Sequence, residues 1–482
     1  MNIKLPADHF YHYIDGELEE GNSRTERVCC PGNEEWVADV KLADGGQAAR
    51  ALEAAERAFP MWSSLSLEER GSWVSRLQQA IMDEKENLLT LLLLESGKLR
   101  SHAQFETDSL INYLGFFMEQ AKCSQEEILR DISGGHGMYM TVREPLGVVV
   151  AALAWNFPMH NVATKIGPIL ASGCTAVIKP ATKTPLSTMY LGSILKKIGF
   201  PKGVLNFIAG DAGEIGKVLC KSKIPAMITM IGSTQGGLHM IKDSTTSVKR
   251  FSMELGGNAP VIVTASADLK AAAAHTIGNK MRCAGQTCVS PQRVYVQSRV
   301  YDAFLKECIE MAVTARCGMM DEDANTGALI SADAVERMEA IVADALAMGA
   351  RVECGGRKPE EKEKGYYYLP TILTEVTDDM EVIKEEVFGP IVAIMPYEKQ
   401  GEALKRANDS RYGLTSYIWA RDYNEIAALT RGLEAGIVNV NGPGTGAPYP
   451  HGGCKDSGIG KDGSVFSLEE YYYVKGIRIA LK

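Results

Sequence analysis

Residues 281–290 read MRCAGQTCVS, two thiols five positions apart, the second set directly after a Gly-Gln-Thr turn. A thiolate is a strong nucleophile toward carbonyl carbon, and it needs a small, open backbone to reach one. A cysteine elsewhere is most often a small buried hydrophobe. Cys288 has the first setting, whereas Cys283 reads as the end of the preceding helix. The chain has 11 cysteines, with no CxxC, no HExxH and no paired Cys/His spacing, so neither a metal site nor a disulfide framework is expected, and the neighbours Cys29 and Cys30 read as incidental. A second candidate is MIGSTQGG, where a strand runs through Gly232-Ser233-Thr234 into a helix. Small residues and free N–H groups at such a helix start can hold a pyrophosphate, although the same turn is commonly only a turn. The GxGxxG fingerprint follows none of the strands. GIGKDG near 458 imitates a phosphate-binding loop but has Lys455 and Asp462 where Gly and Ser/Thr are required.

The elements that position these residues follow from periodicity. From residue 147, short β-branched runs alternate with helical periods: GVVVAALAW, CTAVIKP, VLNFIAG and AMITMIG each lead into a helix, the pattern of a doubly wound parallel sheet. Residues 47–96 read as helices packed on that sheet, with a capping-box start at Ser66 and Glu69. A second α/β domain begins after MELGGNAPVIV, with QRVYVQ, a helix near 300–317 and strands near 391 and 437. The expected division is 1–122 with 146–256, then 257–456, with 123–145 and 457–482 as a small β arm and tail. The tail EEYYYVKGIRIALK alternates and has no obvious partner in its own chain, which suggests a neighbouring subunit in a homodimer or homotetramer.

The 482 residues imply two or three domains. A net charge of −9 without a basic run argues against nucleic acid. The longest apolar runs fall short of the ~18 residues a membrane helix needs, and the start lacks a secretory pattern, so a soluble cytoplasmic protein is expected.

Six stretches occur together: AWNFP (154–158), KPATKTP (179–185), MELGGNAP (253–260), GQTC (285–288), EEVFGPIV (385–392) and PHGGCKDSGIG (450–460). In their order and spacing, over nearly the whole chain, they closely resemble the aldehyde dehydrogenase superfamily. That resemblance implies a Rossmann-like cofactor domain, an α/β catalytic domain and an oligomerisation arm. It makes Cys288 the nucleophile, Asn156 the side-chain oxyanion donor beside the Cys288 N–H, and Glu254 the base that activates water on a thioester. Lys165 joins this catalytic set. Asn156 has a second reading, as the cap of the following helix. Family members that pass the acyl group to coenzyme A typically lack the glutamate, so Glu254 favours a free acid. The same resemblance puts Trp155, Lys179, Thr182, Lys183, Gly232, Ser233, Glu386 and Phe388 around NAD or NADP, with Lys183 and Lys165 equally readable as surface charges. Many NAD-preferring members have Glu at the position of Thr182, so a 2′-phosphate meets no carboxylate there and NADP stays open.

By the same resemblance His160, Asn161, Thr164, Arg282, Thr445 and His451 line the aldehyde funnel, a polar, partly cationic set where members acting on fatty or aromatic aldehydes carry apolar residues. Phenylalanine is usual at the position of His451. Arg282, six residues before Cys288, coincides with a carboxylate-binding arginine of succinate-semialdehyde dehydrogenases, although the second arginine of those enzymes falls at Thr164; a structural ion pair is the competing role. The expected reaction is NAD(P)-dependent oxidation of a small polar or anionic aldehyde. Lactaldehyde, glycolaldehyde and sulfo- or phospho-aldehydes are alternatives, as are a non-redox thioesterase or esterase and a non-catalytic paralogue.

Overall fold

The protein is described from a computed structural model, which covers residues 5–123, 126–130, 137–320, 323–442 and 446–480. Valine- and isoleucine-rich segments such as Val148–Ala152 and Thr175–Lys179 are buried along nearly their whole length because helices cover both faces of their sheet. That sheet runs in the order Glu17–Glu19, His12–Ile14, Leu205–Phe207, Thr175–Lys179, Val148–Ala152, Pro225–Ile231, Arg250–Glu254 and Gly458–Ile459, and its five central strands are parallel. All four strand-to-helix units read from the sequence are present. The strand order reverses between Val148–Ala152 and Pro225–Ile231, the switch point at which such sheets open a crevice beyond their carboxyl ends. Among the helices on this sheet, Leu67–Asp83 starts on the Ser66/Glu69 capping box.

A second sheet runs Arg351–Cys354, Thr371–Thr374, Ile391–Tyr397, Pro291–Gln297, Ala259–Val263, Thr415–Trp419 and Ile437–Val440, parallel except for its first strand. Its two faces are covered by separate apolar cores.

The tail corrects one expectation. Tyr472–Ala480 finds its partner within the chain, pairing antiparallel with Gly137–Pro145 over nine positions, and Glu127–Arg130 flanks that strand on its other side. Alternation alone could not reveal this, because the pairing joins segments more than 300 residues apart in sequence. The small sheet leaves Ile128, Leu129, Val474 and Ile479 exposed.

Candidate active site

The strand ends meet around a cavity of about 890 Å³. Ala154–Phe157, Gly232–Gln235 and Glu254–Gly256 enter it from beyond the carboxyl ends of the first sheet, Thr287–Val289 and Glu385–Phe388 from the approach to strands of the second. Within it lie thirteen of the residues singled out from sequence: Trp155, Asn156, His160, Asn161, Thr164, Gly232, Ser233, Glu254, Arg282, Cys288, Glu386, Phe388 and His451. Lys165, Lys179, Thr182 and Lys183 are not among the lining residues. Thr445 falls outside the described residues.

The turn that leads to Cys288 is built under strain. The helix Leu269–Met281 stops before Cys283, which is therefore not its end as the sequence suggested; Cys283, Ala284 and Gly285 all take left-handed backbone, with φ of 48°, 51° and 70°. Each non-glycine residue there costs roughly 1–2 kcal/mol. The buried side chain of Gln286 holds the turn closed: its Nε2 donates to Cys283 O at 2.9 Å and Ala328 O at 3.2 Å, and its Oε1 accepts from Ile330 N at 2.9 Å. Gly285 has to be glycine, since a Cβ would stand 2.3 Å from Gly389 O. Opposite, a Cβ on Gly257 would meet Cys288 O at 2.1 Å, so the GG pair lets the two sheets' loops touch. Cys288 emerges half-buried, while Cys283 is 5 % exposed.

Burial pushes the Cys288 thiol well up, and the carboxylates of Glu254 and Glu386 push it the same way; the N–H groups of Cys288 and Val289 work against them. The resting group is a thiol that needs a base. Glu254 ends the strand Arg250–Glu254, 3 % exposed, with neither carboxylate oxygen hydrogen-bonded among the described residues. Burial, then the charge of Asp462, holds it well above the usual carboxylate range, with Lys165 opposing. Such a carboxylate is a strong proton acceptor, as activation of water requires.

Asn156 does not cap the following helix. Phe157 is the residue at that position, and Asn156 Nδ2 instead donates to Gln286 O at 3.1 Å, leaving Oδ1 buried without a partner. The helix Pro158–Ser172 is capped by Glu106, whose Oε2 accepts from Met159 N at 3.0 Å and His160 N at 3.4 Å. Glu106 is paired with Lys98, and Lys98 Nζ also donates to Asn156 O at 3.0 Å. This buried pair fixes the Asn156 backbone. Sequence reading missed it, because Lys98 and Glu106, eight residues apart, look like ordinary surface charges. Lys165 is no surface charge: it is fully buried and meets Asp462 at 2.5 Å, behind Glu254.

On the cofactor side, Trp155 and Phe388 pack edge to face with centroids 5.4 Å apart. Ser233 is the N-cap of the helix Thr234–Asp243, its Oγ accepting from Gly236 N. Glu386 Oε1 accepts from Gly257 N at 2.8 Å, and burial raises that carboxyl to about 7. Lys179, at the end of the adjacent strand, is pushed down to about 8 by burial, with Asp211 opposing, and its ammonium makes no hydrogen bond or ion pair among the described residues. An under-solvated ammonium at the carboxyl end of a parallel sheet, beside a helix start and two aromatic rings, fits a dinucleotide. Thr182 lies half-buried in the next turn, and Lys183 is exposed and donates to Ser331 Oγ at 3.3 Å.

At the aldehyde end, the Arg282 guanidinium sits over Phe105 at 4.8 Å and Phe157 at 5.5 Å, and forms no ion pair among the described residues. The ion-pair role considered for it finds no carboxylate partner there. His160 is packed against Phe105, Tyr113 and Phe157, and burial pushes it down to about 3. Asn161 and Thr164 turn inward, to Ala154 O at 3.1 Å and Asn161 O at 3.1 Å. Tyr417, not foreseen, donates to Val289 O at 2.7 Å just beyond the nucleophile.

Comparison with known proteins gives the family and the fold. The model of the "Aldehyde dehydrogenase family" matches residues 18–477. A glutarate-semialdehyde dehydrogenase of Pseudomonas putida is 35% identical over 475 residues, 97% of either chain. An NADP(+) succinate-semialdehyde dehydrogenase of Escherichia coli is 35% identical over 474 residues, again 97% of either chain. Among solved structures, an NADP-dependent enzyme of Escherichia coli superposes with a TM-score of 0.96 at 34% identity, covering 99% of this chain and 100% of that one.

Proposed function

The chain belongs to the aldehyde dehydrogenase family, and we propose that it oxidises a small anionic aldehyde, of the semialdehyde type, to the free carboxylic acid with NAD(P). The observation that carries the substrate class is Arg282. The cavity's other two lining arginines are committed, Arg337 to Glu386 O and Arg411 to Glu385, whereas Arg282 is a cation without an anion, held by two aromatic faces. Cation–π contact keeps such a guanidinium in place without neutralising it, leaving its planar fork free for a carboxylate. The semialdehyde relatives favour the same class.

In this reading the Cys288 proton passes to water and the thiolate adds to the aldehyde carbon, giving a thiohemiacetal whose oxyanion is met by Asn156 Nδ2 and the Cys288 N–H. A nicotinamide held in the cavity would supply the acceptor for the hydride that leaves this carbon. Cys288 then holds a thioester, and Glu254 takes a proton from the attacking water. The C–S bond breaks as the acid forms. Lys179, Ser233 and Glu386 would hold the dinucleotide, and with Thr182 at the turn no carboxylate stands at that position to repel a 2′-phosphate, so NADP is accepted.

Succinate and glutarate semialdehydes, glycolaldehyde and propanal, each assayed with NAD and with NADP, test this. The expected order of kcat/KM puts both semialdehydes at least tenfold above the neutral aldehydes. Parity would overturn the anionic class.

A further inference from the structure

His451 has no part in the steps above. It was expected in the aldehyde funnel, and it does line the cavity, but its ring also approaches the base: Nε2 lies 3.5 Å from Glu254 Oε2. The fit on that side is made by its neighbour, because a Cβ on Gly452 would stand 2.6 Å from Glu254 Oε1. Glu254 therefore rests against the His451-Gly452 segment. That segment is itself fixed, with His451 N donating to Asp462 O at 2.7 Å and Asp462 N donating back to His451 O at 2.6 Å. The two side chains differ in access: that of Glu254 is buried and that of His451 is 37 % exposed.

A carboxylate that takes a proton from water inside a closed site must lose it again before the next turnover, and a side chain this deep has little direct contact with solvent. An imidazole beside it, open to the cavity, bridges that gap. We propose that His451 is the proton-transfer partner of Glu254, taking from its Oε2, onto Nε2, the proton that Glu254 removes from the deacylating water, and passing it to solvent.

The proposal rests on the hydrolytic reading above. In the step before, an O–H bond of water breaks as its oxygen bonds the thioester carbon, the proton goes to Glu254, and the C–S electrons return to Cys288. In the step proposed, the Glu254 O–H breaks and a His451 N–H forms, with no oxidation or reduction. The charged and titratable groups around His451 are Glu254 on its strand, Asp462 and Lys461 on the following loop, and Lys165 and His160 on the helix Pro158–Ser172. Partial removal from water at the cavity wall lowers the imidazole's value, with Asp462 opposing and Lys165 and Lys461 adding to the lowering.

The test follows p-nitrophenyl acetate hydrolysis and succinate semialdehyde oxidation by rapid mixing, in wild type, His451→Ala and His451→Gln. Nitrophenolate release reports acylation and deacylation without cofactor or redox chemistry. Both variants should keep the burst while the steady rate falls about tenfold or more, as for the loss of a proton-transfer group. Added imidazole should restore His451→Ala in proportion to its neutral form, and His451→Gln, which fills the site but cannot titrate, should stay slow. A His451→Gln enzyme with wild-type steady rate would overturn the proposal, as would a His451→Ala enzyme indifferent to imidazole, or a change confined to KM for the semialdehyde. Absence of any wild-type burst with the ester would instead refute the acyl-enzyme reading itself.

Discussion

The guanidinium of Arg282 stands 4.8 Å above the ring of Phe105, so this cation, six residues before Cys288, is held by an aromatic face and not by an acid. Charged hydrogen bonds contribute about 1.5–3 kcal/mol. Arg282→Ala should accordingly raise KM for succinate semialdehyde roughly 10- to 100-fold and leave propanal nearly unchanged. Arg282→Lys should recover only part of the loss, since it offers a point charge in place of a planar fork. Parallel losses on both aldehydes would assign Arg282 to the architecture of the turn.

Cys288→Ala should abolish aldehyde oxidation and ester hydrolysis together. Cys283→Ala should keep most of both, because Cys283 is buried in the left-handed turn. If the second variant were the inactive one, the nucleophile would be misassigned.

Glu254→Gln should form the first equivalent of NAD(P)H and then turn over slowly, by about 10²- to 10⁴-fold if the general base is lost. Equal burst and steady rates to wild type would remove Glu254 from the water step.

Thr182→Glu should shift preference from NADP toward NAD, through repulsion of the 2′-phosphate by a carboxylate near Lys179. The ratio of kcat/KM for the two cofactors reads this directly, and an unchanged ratio would mean that the ribose binds elsewhere.

Stability should fall on the acid side of neutrality. Burial pushes His12 and His102 down to about 4 and His160 to about 3. A base whose folded value is depressed gives stability that is present above its unfolded value near 6.5 and is lost as pH falls from there toward 4. Urea midpoints should therefore decline steadily from pH 7 to pH 4.5, and His102→Gln should flatten the slope. A midpoint independent of pH across that range would contradict the assignment of these rings as neutral.

How much of this was legible beforehand depends on sequence distance. Strands such as Val148–Ala152 and Thr175–Lys179 announce themselves by composition, and the motif residues Cys288, Glu254 and Asn156 by their immediate neighbours. The parts that hold them do not. Gln286 reads as a linker residue until its three hydrogen bonds are seen. Lys98 and Glu106 gain their meaning from Asn156, some 50 residues further on. The left-handed turn at Cys283 and Ala284 runs against residue preference, and tertiary contacts override local preference at just such places.

The Lys165–Asp462 pair spans 297 residues of sequence. During synthesis the five parallel strands of the first sheet and the turn bearing Cys288 are made long before Asp462 leaves the ribosome, and at 5–20 residues per second that interval is on the order of ten seconds or more. Until then Lys165 has no counter-ion, and Glu254 lacks both the Asp462 charge that raises its proton affinity and the His451-Gly452 wall it rests on. The surroundings of Glu254 are thus completed only when residues 451–462 are in place.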